Sequence, residues 1–274
     1  MTGSNGAGEG HALHRRSALV AGIPFQVTTL SDAVEDVLSA IADPASDGIT
    51  LRFANAYSVA EATRDRSYKN LLRSSGINFP DGTPVSWYMR RALKVGRTGR
   101  HVTCRPVRGP SFFEMLLDKG RRHDLRHFLL GASEETLALL TASIQDKYPG
   151  AVIVGSYSPP FGPLDETFYE RSVEAISPCS PNFVWVALGA PKQDFASAEL
   201  SRRLQVSTAG VGAAFDFLAG TASEAPEWIR NSGLEWVFRL ATEPRRLWKR
   251  YLFGNPRFVV NAERALWKMK RAKA

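Results

Sequence analysis

Between residues 50 and 212, short β-branched apolar runs alternate with longer stretches of helical spacing. The pattern predicts strands over Ile49–Asn55, Gly76–Asp81, Leu125–Gly131, Ala151–Ser156, Asn182–Gly189 and Val206–Gly212. Helices are expected to begin near Tyr57, Pro84 or Val85, Ser133, Asp165 and Pro191. The run from Phe183 to Leu188 is apolar throughout, which suits a strand covered on both faces. Such alternation implies βαβ units and an α/β fold built on a mostly parallel sheet with flanking helices. The segment from Thr83 to Phe113 carries seven basic residues (Arg90, Arg91, Lys94, Arg97, Arg100, Arg105, Arg108) and no acidic one, and reads as a basic loop or helix rather than core. Residues 1–16 are Gly- and Ser-rich and read as a disordered leader. After Thr221 the pattern becomes helical and amphipathic, so the expected organisation is a leader (1–16), an α/β core (17–222) and a C-terminal appendage (223–274). A cut near Ala222 is expected to leave the core folded.

Charge sharpens the division. The chain of 274 residues has a net charge of +8, and the last 49 residues hold twelve Lys/Arg against four Asp/Glu, so the whole excess lies there. Four of the six tryptophans (Trp228, Trp236, Trp248, Trp267) share that stretch with Phe238, Tyr251, Phe253 and Phe258. Basic residues interleaved with aromatic ones fit an anionic membrane surface. They also fit single-stranded nucleic acid, where bases stack on rings, and a helical cap with some tryptophans in the core is the plainer reading. No 18-residue apolar run is present and no signal-peptide pattern precedes the core, so a cytosolic chain is expected. Cys104 and Cys179 are too few and too far apart for a disulfide scaffold or a zinc site.

In an open parallel sheet, ligands bind outside the carboxyl ends of the strands. Asn55 and Asp81 close two of the expected strands, and Gln193 lies in the opening turn of the helix after a third. Gly131 and Ser133 stand at another strand-to-helix junction, whose free N–H groups suit a phosphate or hydroxyl. Each has a plainer reading: Asp81-Gly82 as a turn, Asn55 as a helix cap, Pro191 and Gln193 as a helix start. Their convergence on one edge of the fold favours a site. Other signals lead nowhere. Gly210-Val-Gly212 begins like a dinucleotide fingerprint, but the third glycine position is Phe215 and no ribose-binding acid follows. His123 and His127 have helical i,i+4 spacing without a third ligand, and read as solvated histidines beside a strand. No Asp-x-Asp pair occurs anywhere.

Three strings resemble a known family: Leu188-Gly-Ala-Pro-Lys-Gln-Asp194, Gly210-Val-Gly-Ala-Ala-Phe-Asp216, and the stretch from Gly233 to Leu252 with its Leu-Glu-Trp and Glu-Pro-Arg-Arg. Together they resemble the WecG/TagA/CpsF glycosyltransferases (glycosyltransferase family 26) over residues 18 to 260. The resemblance implies a Rossmann-like fold with a C-terminal appendage and a bacterial origin. It also implies inverting transfer of a sugar, N-acetylmannosamine or a related hexose, from a UDP-sugar to a polyprenyl-diphosphate-linked acceptor in cell-surface polysaccharide synthesis. The enzyme would sit peripherally on the inner face of the cytoplasmic membrane.

Carried over by position, Asp81 is the implied general base, and Asn55 and Gln193 belong to the nucleotide-sugar site. Arg239, Arg246, Lys249 and Arg250 are implied to complete the site over the diphosphate. An arginine usual before the middle helix has no clean counterpart, and Arg105 and Arg108 are the candidates to replace it. Phe53 stands where many members have Thr, and Asp194 where Glu is common, which leaves the donor sugar open, glucose included. A departing UDP needs its charge met by a metal or by fixed donors. Without Asp-x-Asp, arginines and helix N-termini are the available donors, so no metal or other cofactor is expected. A nucleic-acid-binding module is the rival class, no nucleic-acid partner is expected, and homo-oligomerisation stays open.

Overall fold

The structure, a computed structural model, describes residues 16–43, 47–96, 103–230 and 235–272; the side chains at 230, 246 and 249–251 are not among those described. The leader expected over 1–16 lies almost wholly outside the described residues. The chain opens with a hairpin of β1 (Ser17–Val20) and β2 (Ile23–Gln26), then α1 (Leu30–Ile41), β3 (Thr50–Ala54), α2 (Ala56–Ala62) and α3 (Arg66–Arg73). Next come β4 (Ile77–Pro80), α4 (Thr83–Val95), α5 (Gly109–Gly120), β5 (Arg126–Gly131), α6 (Glu134–Lys147), β6 (Val152–Tyr157) and α7 (Glu166–Ile176). The remainder is β7 (Phe183–Ala187), α8 (Lys192–Leu204), β8 (Ser207–Gly210), α9 (Ala214–Leu218), α10 (Glu227–Arg230), α11 (Glu235–Thr242) and α12 (Pro244–Arg271).

Strands β3 to β8 form one sheet in the order β4-β3-β8-β7-β5-β6, every pair parallel. This is the Rossmann-like α/β architecture, and its six strands are the six expected from the apolar runs. Alternation along each strand sorts side chains to two faces. Leu129, Phe183 and Trp185 point to the face covered by α1, α5 and α6. Phe128, Leu130, Val184 and Val186 meet α7 and α8 on the other. The β1–β2 hairpin turns through Ala21 and Gly22, both at positive φ, as its two-residue connection requires.

Three expectations need correction. The basic segment after Thr83 is core on one side: Val85, Tyr88, Met89 and Ala92 of α4 and Phe112, Phe113, Leu116 and Leu117 of α5 are buried. Arg90, Arg91 and Lys94 lie outside the buried set of α4, as amphipathic helices allow, Arg108 is buried just before α5, and Arg97 and Arg100 lie outside the described residues. His127 is not solvated. It lies fully buried in β5 and accepts a hydrogen bond from Trp185 Nε1 at 3.1 Å, and burial pushes its pKa down to about 3, so it stays neutral. His123 sits in a one-turn 3-10 segment, so the helical spacing of the pair is never realised.

The third concerns the tail. Leu247, Phe258, Ala262 and Leu266 form a buried stripe along α12, and the last three join Val20, Val59, Tyr88 and Met89 in a second core between the hairpin, α2, α4 and α12. The Phe258 ring meets Tyr88 edge-on at 5.3 Å. A cut near Ala222 would uncover this cluster, contrary to the expectation that the core outlasts the tail.

Phe258→Ala should therefore cost about 3–5 kcal/mol of stability, the usual penalty for emptying a buried aromatic site. Trp267→Ala, at a half-exposed position of the same helix, should cost within about 1 kcal/mol. Urea unfolding measures both, and equal small losses would make α12 a passive appendage.

Candidate active site

All six strands of the sheet release their chains at one edge, and a cleft of about 330 Å³ opens there, within the size range of small-molecule sites. Residues after β3, β4, β5, β7 and β8 line it, together with Arg108 at the start of α5 and Glu235 and Arg239 of α11.

Asn55 ends β3 and caps α2: its Oδ1 accepts from the N–H groups of Tyr57 (3.0 Å) and Ser58 (3.2 Å). The plain reading and the functional one coincide, because the same side chain also hydrogen-bonds Asp81. Asp81 follows β4, its own N–H bonded to Ala54 O at 3.2 Å. Gly82 then takes a φ of 90° that lets the chain turn into α4. Desolvation in the cleft, with the charge of Glu235 second, pushes the Asp81 pKa up to about 6, while Arg108, Arg239 and the Asn55 hydrogen bond oppose the rise. A carboxyl so placed is held close to the range where it can exchange a proton at neutral pH.

Gln193 lies buried in the first turn of α8, and its Oε1 has no hydrogen-bond partner among the described residues. It rests against the Gly210-Val211-Gly212 turn, where a Cβ on Gly210 would come within 2.8 Å of Gln193 Cγ. Those two glycines, which mimic a dinucleotide fingerprint in sequence, make room for this amide. Behind it, Asp194 accepts a 2.6 Å hydrogen bond from Tyr68 Oη and faces the buried guanidinium of Arg52. Burial raises Asp194 to about 6.

Of the two arginine candidates, Arg108 is in the cleft and Arg105 is exposed away from its lining. The Arg108 guanidinium is nearly closed off from solvent. It donates to Glu235 through Nε (3.0 Å) and Nη2 (2.7 Å), to Glu224 through Nη2 (2.9 Å) and to Ser111 through Nη1 (3.1 Å). Arg239 lies over the Phe217 ring at 5.7 Å, its Nε buried without a hydrogen-bond partner among the described residues.

Gly131 and Ser133 stand apart from the lining. Gly131 at φ 110° is forced by the close approach of Ala187 O, 2.4 Å from where a Cβ would be. Ser133 caps α6 by accepting from Thr136 N at 3.1 Å, so that helix start already has a partner; only Ala132 between them reaches the cleft. Arg246, Lys249 and Arg250 belong to the first turns of α12, and their side chains lie outside the described residues. Asp216 and Glu235 line the cleft unforeseen, although both fall inside the motif strings. Their side-chain directions depend on how α9 and α11 dock, and spacing carries no trace of that. Phe53 forms an apolar wall, its ring 5.6 Å from Phe79 and 5.1 Å from Phe112. Among the described residues no group of three His, Cys, Asp or Glu is placed to hold a metal ion.

The chain is similar to known proteins over nearly its whole length. A model of the glycosyl transferase WecG/TagA/CpsF family matches residues 18–272. A Bacillus subtilis (strain 168) protein named N-acetylglucosaminyldiphosphoundecaprenol N-acetyl-beta-D-mannosaminyltransferase is 31% identical over 208 residues, 75% of each chain. A protein of the same name from Staphylococcus aureus (strain NCTC 8325) is 24% identical over 255 residues, 93% of this chain and 95% of its own.

NMR titration of the Asp81 carboxyl carbon should give a midpoint near 6, the group being protonated below and charged above it. A midpoint at the ordinary 3.8 would mean that the cleft does not desolvate this carboxyl.

Proposed function

Because the chain belongs to the WecG/TagA/CpsF glycosyltransferase family, we propose that it transfers an N-acetylmannosamine-type hexose from a UDP-sugar to a polyprenyl-diphosphate-linked sugar, with inversion, in bacterial cell-surface polysaccharide synthesis. The observation that carries this reading is the pairing, in one cleft, of a desolvated carboxyl (Asp81) with two guanidiniums (Arg108, Arg239). The relatives' names supply the acceptor class.

In this reading Asp81 takes the proton of the acceptor hydroxyl as that oxygen bonds to the anomeric carbon. The bond from that carbon to the diphosphate breaks, and UDP leaves with the electron pair. A positioned base contributes about 10²–10⁴-fold to such a step. Developing charge on the diphosphate is met by Arg108 and Arg239, with the basic first turns of α12 next in sequence. Asn55 fixes Asp81 and α2 together, and the Gln193 amide, its oxygen unmatched, faces the donor's hydroxyls. The reaction proceeds without a metal. Phe53 supports a second reading within the same chemistry: an apolar wall where a hydroxyl is common suits a different hexose, such as glucose. A panel of UDP-sugars with a short polyprenyl-diphosphate acceptor analogue separates the two, and turnover of no UDP-sugar would end both.

The site must meet a lipid-linked acceptor, and no helix among the described residues is long and apolar enough to cross a membrane. Contact at the membrane surface fits the outer side of α12, where Trp248, Leu252, Phe253, Val259, Val260 and Trp267 are exposed among its basic residues. Interfacial aromatics add apolar burial to the roughly 1 kcal/mol that each Lys or Arg gains near an anionic surface.

Asp81→Asn should lower kcat at least a hundredfold and leave UDP affinity within a few-fold, since the amide keeps the shape but accepts no proton. Activity within tenfold of wild type would assign the base elsewhere. Replacing Leu252 and Phe253 together by Ser should weaken sedimentation with anionic liposomes at least tenfold without changing Tm, because both side chains are more than half exposed. Unchanged sedimentation would place the membrane contact on another surface.

A further inference from the structure

One of the two guanidiniums that line the cleft is already occupied. Among the described residues, every hydrogen bond that the Arg108 guanidinium makes, other than the one to neighbouring Ser111, goes to a carboxylate arriving from the far end of the chain. Glu235 engages it in the fork geometry, two parallel N–H···O bonds, that guanidinium also offers to phosphate. Glu224 adds a second carboxylate on Nη2.

The charge balance of the described lining points the same way. Asp81, Asp216 and Glu235 face Arg108 and Arg239, three negative groups against two positive ones. A diphosphate brings at least two further negative charges into this low-dielectric space, and like charges at close range are costly there. The described cleft therefore holds an anion of its own where an anionic ligand is to bind.

Resting on the UDP-sugar reading above, we infer that Glu235, backed by Glu224, is a placeholder for the donor's diphosphate on Arg108. The diphosphate takes over the Nε and Nη2 hydrogen bonds, and the Glu235 carboxylate withdraws from the cleft as the donor seats. In the empty site the pair keeps a buried guanidinium satisfied and aimed, since an unpaired buried charge is strongly destabilising. The donor then competes with an internal carboxylate, so its apparent affinity is lowered by the fraction of molecules in which Glu235 still holds Arg108. Glu235 is thus a positioning residue that also sets how tightly a diphosphate-bearing ligand binds.

The test compares full-length wild type with Glu235→Gln and Glu224→Gln by isothermal titration with UDP and with uridine, in EDTA-containing buffer at pH 7.5. Glutamine keeps the side-chain shape, removes the negative charge and makes a weaker bond to guanidinium. UDP should bind Glu235→Gln about tenfold more tightly than wild type and Glu224→Gln a few-fold more tightly, while uridine affinity stays the same in all three. Glu224 lies in a connecting loop, so its variant carries the test even if Glu235→Gln folds poorly. Unchanged or weaker UDP binding in both variants would make the glutamates mere struts for α11 and overturn the placeholder. An equal gain for uridine would do the same, because the effect would not be at the phosphates. If wild type bound UDP only on addition of Mg²⁺, the metal and not Arg108 would hold the diphosphate, and the inference would fall. Absence of UDP binding in all three proteins, with or without Mg²⁺, would instead overturn the UDP-sugar reading itself.

Discussion

A parallel sheet delivers the carboxyl end of every strand to one edge, and this constraint organises the molecule. Hydrogen bonding in parallel register forbids tight hairpins, so each return passes through a helix on one face or the other. Five of the six strand ends consequently open into a single cleft. Asn55, Asp81 and Gln193 come together there although 138 residues separate the first from the last. Apolar packing on both faces of the sheet holds the edge rigid, and the polar groups add little to that rigidity.

The C-terminal helices take part in both halves of this arrangement. Phe258, Ala262 and Leu266 complete a hydrophobic cluster under the β1–β2 hairpin, while Glu235 and Arg239 close one wall of the cleft. The tail is therefore structural on its inner side and chemical near its start. Its outer side alone carries the exposed aromatic residues amid positive charge that first set it apart. All four tryptophans of the last 49 residues are exposed, Trp228 on α10, Trp236 on α11 and Trp248 and Trp267 on α12, so the plainer reading that put some of them in the core does not hold.

What the sequence disclosed follows from where physics is local. Strands buried on both faces, such as Phe183–Ala187, have to be continuous apolar runs, and all six were legible. The β1–β2 hairpin was not, because Ala21-Gly22 lacks the Asn or Asp that usually marks such a turn. Helix α5 was obscured by the basic residues upstream, of which Arg90, Arg91 and Lys94 lie on α4 outside its buried set while Arg108 is buried just before α5. Asn55, Asp81 and Gln193 could be picked out because strand ends are readable. Choosing between Arg105 and Arg108 was not possible, since three residues decide whether a side chain points into the cleft or away from it. Glu224 and Glu235 matter through contacts made 116 and 127 residues away in the chain. No periodicity records such a partner. His127 shows the same limit: burial keeps it neutral, and the indole that donates to it comes from Trp185, 58 residues on.

The wall formed by α11 has a consequence for how the molecule comes into being. Ribosomal synthesis releases the sheet first and Glu235, Arg239 and α12 last. Until those segments emerge, Arg108 lacks the two hydrogen bonds it makes to Glu235, Glu224 being the only carboxylate partner already in the chain, and the cluster around Tyr88 is open to water. A nascent chain can thus lay down its strands before the wall of its cleft is complete. A chain stalled or clipped shortly before residue 235 would expose apolar surface together with a guanidinium short of its two-bond carboxylate partner, a combination that quality-control chaperones and proteases are well suited to detect.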